Sequence, residues 1–354
     1  MLRVGSVGIV GATGVVGRTM LEVLERSDLD IGELRLFASE RSSGQVMEFR
    51  GKDVTVEILS EEAMCYGFDY LLFSVDAEVS RKFAPIATAN GTTVIDNSSA
   101  FRMAPEVPLV VPEINGHLLK NYKGIVANPN CSTIQMVLAL YRIHDRYNLS
   151  EIIVSTYQAV SGAGDKAVME FDEQLNGGSE TSVFGKQIAH NVIPVIGELN
   201  NDITDEEWKM INETKKIFNS RSIEIFPTAV RVPVRIGHSE SIVARTLFPI
   251  MSKDDLIETI TSGEDIVLHD DVITPLEIAG DDLVHVSRTR LFDAHTFGIW
   301  VVADNLRVGA ATNAVKIMQR HLASSKCINS ANGRHENSEG ENESNENREV
   351  LSNR

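Results

Sequence analysis

The chain has 354 residues, of which 43% are hydrophobic and 23% charged, and its formal net charge is −17 at pH 7. That length supports two domains or one large one with a core that needs no covalent staples, and the acidity has the wrong sign for nonspecific nucleic-acid binding, so any anionic substrate must be held by local cations. Cys65, Cys131 and Cys327 are too scattered for a disulfide framework or a zinc site, the start MLRVGSVGIVGATG lacks a signal-peptide layout, and no apolar run approaches ~20 residues, so a cytoplasmic, metal-free protein is expected.

The first element is a short apolar strand over 4–10, VGSVGIV, followed by glycines and then a helix over 15–26, in which Val16, Met20, Val23 and Leu24 recur at helical spacing. Gly8, Gly11, Gly14 and Gly17 recur every third residue across this junction. Glycines between a strand and a helix allow a tight turn and let backbone N–H groups approach a pyrophosphate, so a dinucleotide site is expected here. At the end of the second strand, LRLFAS (34–39), the sequence continues Glu40-Arg41-Ser42-Ser43. A cation there suits the 2′-phosphate of NADP and a carboxylate the 2′-hydroxyl of NAD, so Arg41 points to NADP and Glu40 leaves the other choice open. Further strands are expected at 54–59, 69–75, 92–96 and 124–128. Short, nearly continuous apolar strands separated by helices indicate a parallel sheet covered on both faces.

Next comes VANPNCSTIQMVLALYRIH (126–144), which puts Cys131 between a proline turn and an apolar run with helical spacing. A thiol at a helix N-terminus is favoured as thiolate and suits a covalent catalyst; a small buried hydrophobe near a cap is the alternative. From about residue 150 the strands lengthen and alternate, at EIIVSTYQAV, TAVRVPVRIG (228–237), SIVARTLFPI (241–250), HVSRTRLF and FGIWVVAD, with amphipathic helices at 163–175 and 204–218. This texture indicates a second, α+β domain with an antiparallel or mixed sheet. In VRVPVRIGHSE, Arg231 and Arg235 share a strand face that ends at His238, either an anion site beside a base or the solvated side of a sheet. A last helix covers 305–323, and the polar segment from 324 is expected to be a disordered tail.

A nicotinamide-type domain followed by a helix-capping cysteine suggests thiolate addition to an aldehyde, hydride transfer, and cleavage of the thioester by a nucleophile, with a histidine as base. The segments GATGVVG, SSAFRM, NPNCST, YQAVSGAG, EEWK, VRVPVRIGHSE and DNLRVGAA occur in that order, and over residues 3–323 the chain resembles the aspartate-semialdehyde dehydrogenase family. The resemblance implies an α/β protein: an N-terminal Rossmann-like parallel-sheet domain (1–130) completed by a returning helix (307–323), and an α+β catalytic and dimerisation domain (131–306). It implies NADPH-dependent reductive dephosphorylation of 4-phospho-L-aspartate to L-aspartate 4-semialdehyde through a cysteine thioacyl intermediate, feeding lysine, threonine, methionine and isoleucine synthesis. A homodimer, or a dimer of dimers, is implied as well, with the irregular segment 176–197 at the subunit contact.

Position by position, the resemblance makes Cys131 the nucleophile, His238 the general acid/base and Gln158 the residue that orients the acyl intermediate. Arg231 matches the partner of the substrate α-carboxylate, Glu206 the receiver of its ammonium, and Arg102 and Lys209 the phosphate cations, with Asn130 close by. For NADP, Gly11, Thr13, Gly14, Val15 and Val16 match the pyrophosphate loop, and Arg41 with Ser42 the 2′-phosphate contacts. Ser161, Gly162 and Asn305 match the nicotinamide side. Two positions depart from the family pattern: SVDAEVS replaces a small, glycine-containing run after β-strand 69–75, and Val308 stands where lysine is common. Cys65 is expected to be buried filler. N-acetyl-glutamyl-phosphate reductase, glyceraldehyde-phosphate dehydrogenase and a noncatalytic nucleotide-sensing protein are the competing readings. A free ammonium needs an acidic partner such as Glu206, the context of the cysteine differs from that of the second, and retention of Cys131, His238 and Arg231 speaks against the third.

Overall fold

The computed structural model describes residues 2–324; the tail beyond Ser324, Cys327 included, lies outside the described residues. Strand β1 (Leu2–Val10) leads through the glycine turn into α1 (Val15–Arg26) and β2 (Leu29–Ala38). A short 3-10 turn, Glu40–Ser42, precedes the hairpin of β3 (Val46–Phe49) and β4 (Lys52–Ile58). Then follow α2 (Glu61–Met64), β5 (Tyr70–Phe73), α3 (Ala77–Ala89), β6 (Thr93–Asp96), α4 (Pro112–Asn115) and β7 (Ile125–Ala127). The seven strands run in the order β3-β4-β2-β1-β5-β6-β7, parallel except for the β3–β4 hairpin. The order reverses beside β1, so the crevice at the end of β1 opens at the glycine turn, where ligands bind in such sheets. The hairpin was not expected. Its turn carries Arg50 at φ 51° beside Gly51 at φ 74°, and arginine in a left-handed turn position gives little turn signal in a sequence.

The second half begins with α5 (Cys131–Tyr147) and β8 (Leu149–Gln158), followed by α6 (Asp165–Leu175) and the short pair β9 (Leu199–Asn200) and β10 (Ile203–Thr204). After α7 (Asp205–Ile217) come β11 (Glu224–Arg231), β12 (His238–Thr246), α8 (Lys253–Thr261), β13 (Ile266–Leu268), α9 (Pro275–Ile278), β14 (Val284–Leu291) and β15 (Thr296–Ala303). These strands form a mixed six-stranded sheet in the order β11-β8-β12-β15-β14-β13. Together the two sheets and their helices make an α/β protein, as the sequence indicates. The strand expected over 228–237 stops at Arg231, and β12 starts at His238 rather than 241. Between them Pro233 offers no amide donor and Gly237 sits at φ 95°, so the chain leaves the sheet despite its alternating valines. Arg235 therefore leaves the shared face and pairs with Asp172 at 2.7 Å.

One core cluster is threaded by α5, whose Ile134, Val137 and Leu140 pack with Phe73 and Val94 of the first sheet and with Ile152, Ile242 and Ile299 of the second. Twelve of the seventeen residues of α5 are buried. At about 1.5–3 kcal/mol for each large side chain removed from water, this helix is the main hydrophobic link between the two sheets. The last helix opens with a π-turn, Arg307–Thr312, and continues as α10 over 313–324. Its Ala314, Ile317 and Met318 share a second core with Ile9, Leu24 and Leu72, so α10 returns to the first sheet. Val308, which replaces the common lysine, is buried in the π-turn rather than on the surface. Cys65 is exposed at the end of α2, contrary to the expected burial, because that four-residue helix lies on the surface.

The glycine turn is packed backbone to backbone: a Cβ on Gly17 would lie 2.1 Å from the Gly11 carbonyl oxygen and 2.8 Å from Ala12 Cα. Gly17→Ala is expected to cost about 1–3 kcal/mol, read as a lower urea midpoint at unchanged slope. An unchanged midpoint would mean that α1 can shift away from β1 freely.

Candidate active site

Sheet register assembles the first part of the site. Arg231 at the end of β11 pairs with Gln158 at the end of β8. On the other side of β8, the pairing of Tyr157 with Ser239 brings His238, the first residue of β12, alongside Gln158. Side chains alternate along a strand, so these three residues stand in one cross-strand row on the inner face. All are buried. The peptide of Ala159 ties the row together: its carbonyl accepts a hydrogen bond from Arg231 Nη1 at 2.6 Å, and its N–H donates to His238 Nδ1 at 3.0 Å.

The row borders a cleft of about 810 Å³ between the two sheets, also lined by Cys131. Asn130 caps α5, its side-chain oxygen accepting from the N–H groups of Ser132 and Thr133 at 3.0 and 3.2 Å. The cap satisfies two of the amides expected to favour a thiolate. In the resting site burial pushes the Cys131 thiol up to about 12, with Glu206 adding to the rise and Arg231 and Arg102 opposing it. The thiol is thus protonated at neutral pH, the reverse of the expectation from the helix terminus alone. The π-turn packs directly behind it: a Cβ on Gly309 would lie 2.6 Å from Cys131 Cβ. Glycine is required for that approach, and a π-turn at such a place is a frequent mark of a functional site.

Helix α7 supplies the charged part. Its Thr204–Glu207 capping box starts the helix so that Glu206, Met210 and Glu213 face inward. The buried carboxylate of Glu206 accepts from Asn130 Nδ2 at 2.8 Å, Gln158 Nε2 at 3.2 Å and Lys209 Nζ at 3.2 Å. Burial alone would raise its pKa, but Lys209, the Asn130 amide and Arg231 outweigh it and hold the group below the usual carboxylate range. Arg102, Lys209 and Arg231 all line the cleft, which answers the requirement for local cations on an acidic protein.

His238 is enclosed. Because Nδ1 accepts the Ala159 N–H, the neutral ring carries its proton on Nε2, and that atom has no protein partner. A Cβ on Gly162 would come within 3.1 Å of Nε2, so the glycine lets its backbone pack against that edge of the ring, and His238 stands behind the cleft lining rather than in it. Burial, reinforced by Arg231, pushes His238 down to about 3. Behind the row, Glu240 is fully buried beside Gln135, and burial raises its carboxyl well above the usual range.

The other end of the cleft is lined by Val15, Val16, Ser161, Gly162 and Asn305. Asn305 Oδ1 accepts from the Gly237 N–H at 2.9 Å, and its Nδ2 donates to Ser161 Oγ at 3.0 Å. Gly11, Thr13 and Gly14 form the turn that feeds α1, and the Gly14 N-cap has no side-chain cap, leaving the first-turn amides suited to a pyrophosphate. Gly11 takes φ 86°, and a Cβ there would meet the Ser74 carbonyl at 2.1 Å. Arg41 and Ser42 stand on the 3-10 turn after β2, beyond the cleft lining. Asp76, within the departing segment SVDAEVS, lines the cleft and caps α3 through Val79 N–H at 2.9 Å. Among the described residues no group of three or more His, Cys, Asp or Glu is arranged to hold a metal.

Sequence reasoning missed Glu213, Gly309 and Arg18. Arg18 binds the Thr13 carbonyl and pairs with Asp165 on α6 at 2.8 Å, bridging the mouth of the cleft. The available signal for Glu213 was an acidic residue two turns from Glu206 on the apolar face of an amphipathic helix.

Residues 6–122 match the family model for the semialdehyde dehydrogenase NAD binding domain, and residues 140–308 the model for its dimerisation domain. The aspartate-semialdehyde dehydrogenase of Aquifex aeolicus is 46% identical over 329 residues, covering 88% of this chain and 96% of that protein. Aspartate-semialdehyde dehydrogenase 2 of Vibrio cholerae is 46% identical over 332 residues, covering 89% and 96%. The crystal structure of aspartate semialdehyde dehydrogenase II complexed with ASA from Vibrio cholerae superposes with a TM-score of 0.86 at 43% identity, covering 89% of this chain and 97% of that one. With this geometry and these relatives, the chain belongs to the aspartate-semialdehyde dehydrogenase family.

Proposed function

We propose that this chain interconverts 4-phospho-L-aspartate and L-aspartate 4-semialdehyde, with NADP as cofactor and inorganic phosphate as the third reactant. The observation that carries this reading is the convergence of Cys131, Gln158, Arg231, Glu206 and Lys209 on one cleft. In the aldehyde-oxidising direction Arg231 pairs with the α-carboxylate and Glu206 receives the ammonium, which directs the aldehyde carbon to Cys131 Sγ. The S–C bond forms as the carbonyl oxygen takes a proton from His238 Nε2, and the thiol proton replaces it on the ring. NADP, when bound, accepts the hydride from that carbon. One proton is released with each hydride, His238 Nε2 passing its own proton on as it takes the one from the hydroxyl, and Gln158 holds the resulting thioester. Phosphate, held by Arg102 and Lys209, attacks the thioester carbon; the S–C bond breaks, and the proton lost by the attacking hydrogen phosphate passes to the sulfur as acyl phosphate departs.

Glu206 favours this substrate over an acetylated one, because a free ammonium adds a charge-assisted partner to its carboxylate while a neutral acetamide supplies none. We assign 1–130 together with 307–323 to the cofactor domain and 131–306 to the catalytic and dimerisation domain. Arg41 with Ser42 is assigned to the 2′-phosphate that selects NADP. In an assay of NADPH formation, turnover is expected with L-aspartate 4-semialdehyde, to depend on phosphate, and to vanish in Cys131→Ala. Preference for N-acetyl-glutamate semialdehyde would move the substrate assignment, and phosphate-independent turnover would overturn the acyl-phosphate step.

Because the resting thiol is protonated, its alkylation by iodoacetamide without substrates is expected to rise roughly tenfold per pH unit between about pH 6 and 10. A plateau beginning near neutrality would show that the thiolate is already formed and would remove the need for proton transfer during attack.

We infer a homodimer built on the outer face of the mixed sheet, within the matched dimerisation domain. Ile153 and Phe226 are exposed there and face each other across β8 and β11, with Tyr157 and Trp300 in ring contact at 5.5 Å nearby. No helix among the described residues is long and apolar enough to cross a membrane, so this apolar face is assigned to a second copy of the chain in the cytoplasm. By sedimentation, the wild type is expected to be dimeric and the double variant Ile153→Lys/Phe226→Lys monomeric. An unaltered dimer in that variant would relocate the interface.

A further inference from the structure

Helix α7 does more than present Glu206 and Lys209. Two turns beyond Glu206, Glu213 is 1% exposed, and its two oxygens reach different parts of the site. One accepts from Arg102 Nη1 at 3.0 Å; the other accepts from the backbone N–H of Asn130, the residue before the nucleophile, at 2.6 Å. Arg102 is further fixed by Nη2 donating to the Asn97 carbonyl at 2.7 Å. One turn further along α7, Lys216 Nζ donates to the carbonyls of Arg102, Ala104 and Val107, each at 2.8 Å. The helix therefore grips the Arg102 loop through both side chain and backbone.

The two bonds of Glu213 call for a carboxylate in particular. Both partners are donors, and only a carboxylate offers an acceptor oxygen to each; a carboxamide would turn its NH2 toward one of them. Burial pushes the Glu213 carboxyl upward, while Arg102 and the Asn130 N–H favour its charged form. A site of this acidity beside a phosphate pocket is unfavourable unless it performs a task, since it repels both the phosphate and Glu206. Glu213 does not line the cleft, so that task is exerted through its partners.

We propose that Glu213 is a positioning residue for phosphate, holding the Arg102 guanidinium and the start of the Cys131 helix in one fixed frame. The inference rests on the reading of Arg102 as a phosphate cation. A displaced guanidinium loses a charge-assisted hydrogen bond to phosphate, whereas the remote cofactor contacts are untouched.

The test is a double-mutant cycle of Arg102→Leu and Glu213→Gln, assayed with L-aspartate 4-semialdehyde, NADP and inorganic phosphate after each variant is confirmed to be folded. Glu213→Gln is expected to raise the phosphate KM about tenfold and leave the NADP KM within about twofold. Arg102→Leu should raise the phosphate KM further, and the double variant should have the same phosphate KM, because Glu213 then has no phosphate cation left to position. An unchanged phosphate KM in Glu213→Gln, an equal loss for NADP, or full additivity in the double variant would overturn the proposal. If Arg102→Leu itself left the phosphate KM unchanged, the phosphate reading of Arg102 would fall instead. Glu213→Asp retains the charge but is one methylene too short to reach both donors. It is expected to raise the phosphate KM selectively, and wild-type values in it would count against the proposal if Glu213→Gln does not fold.

Discussion

Burial of α5 between the two sheets is the constraint on which the rest of the molecule depends. The helix contributes apolar side chains to both sheets, so neither sheet can complete its core without it. Its axis cannot rotate without exposing one of those faces, and its N-terminus is therefore held at the junction, where the cleft lies. Cys131 inherits that precision. Gly309 in the π-turn presses against the same residue from the returning chain, so the segment that closes the second core also sets how deeply Cys131 sits.

The electrostatics follow from a second rigid element packed against the first. Along α7, Glu206, Lys209, Glu213 and Lys216 follow one another at helical spacing; Glu206, Glu213 and Lys216 each meet a group from another part of the chain, and Lys209 pairs with Glu206. Three cations and two carboxylates share the site, so an anion there would meet a modest excess of positive charge in a protein whose overall charge is −17. A local field of this kind is governed by burial and spacing, and the distant surface charges contribute little through solvent. The same burial keeps His238 neutral and the resting thiol protonated, so proton movement is tied to arrival of the substrate.

Much of the architecture was readable because it rests on local rules. The strand–glycine–helix junction at 4–26 announced the first crevice, continuous apolar strands announced a covered parallel sheet, and the motif order from GATGVVG to DNLRVGAA carried the family. Where local rules misled, a tertiary cause is visible. The valines of 228–237 alternate like a strand, yet Pro233 and Gly237 turn the chain so that Arg231 stays in the site and Arg235 pairs with Asp172. Cys131 stands at a helix N-terminus, yet its pKa rises because burial and the nearby Glu206 outweigh the Ser132 N–H, Arg231 and Arg102.

The sequence by itself determined the fold class and the position of the cysteine before an apolar helix, since these follow from periodicity and turn chemistry along the chain, and its motif order carried the family resemblance from which the site residues were expected. Only the tertiary structure decided which of those side chains share a row, which nitrogen of His238 carries the proton, and that Glu213 joins Arg102 to the residue before Cys131. Those facts depend on strand register, burial and hydrogen bonds between residues as many as 111 positions apart, and no local pattern encodes them.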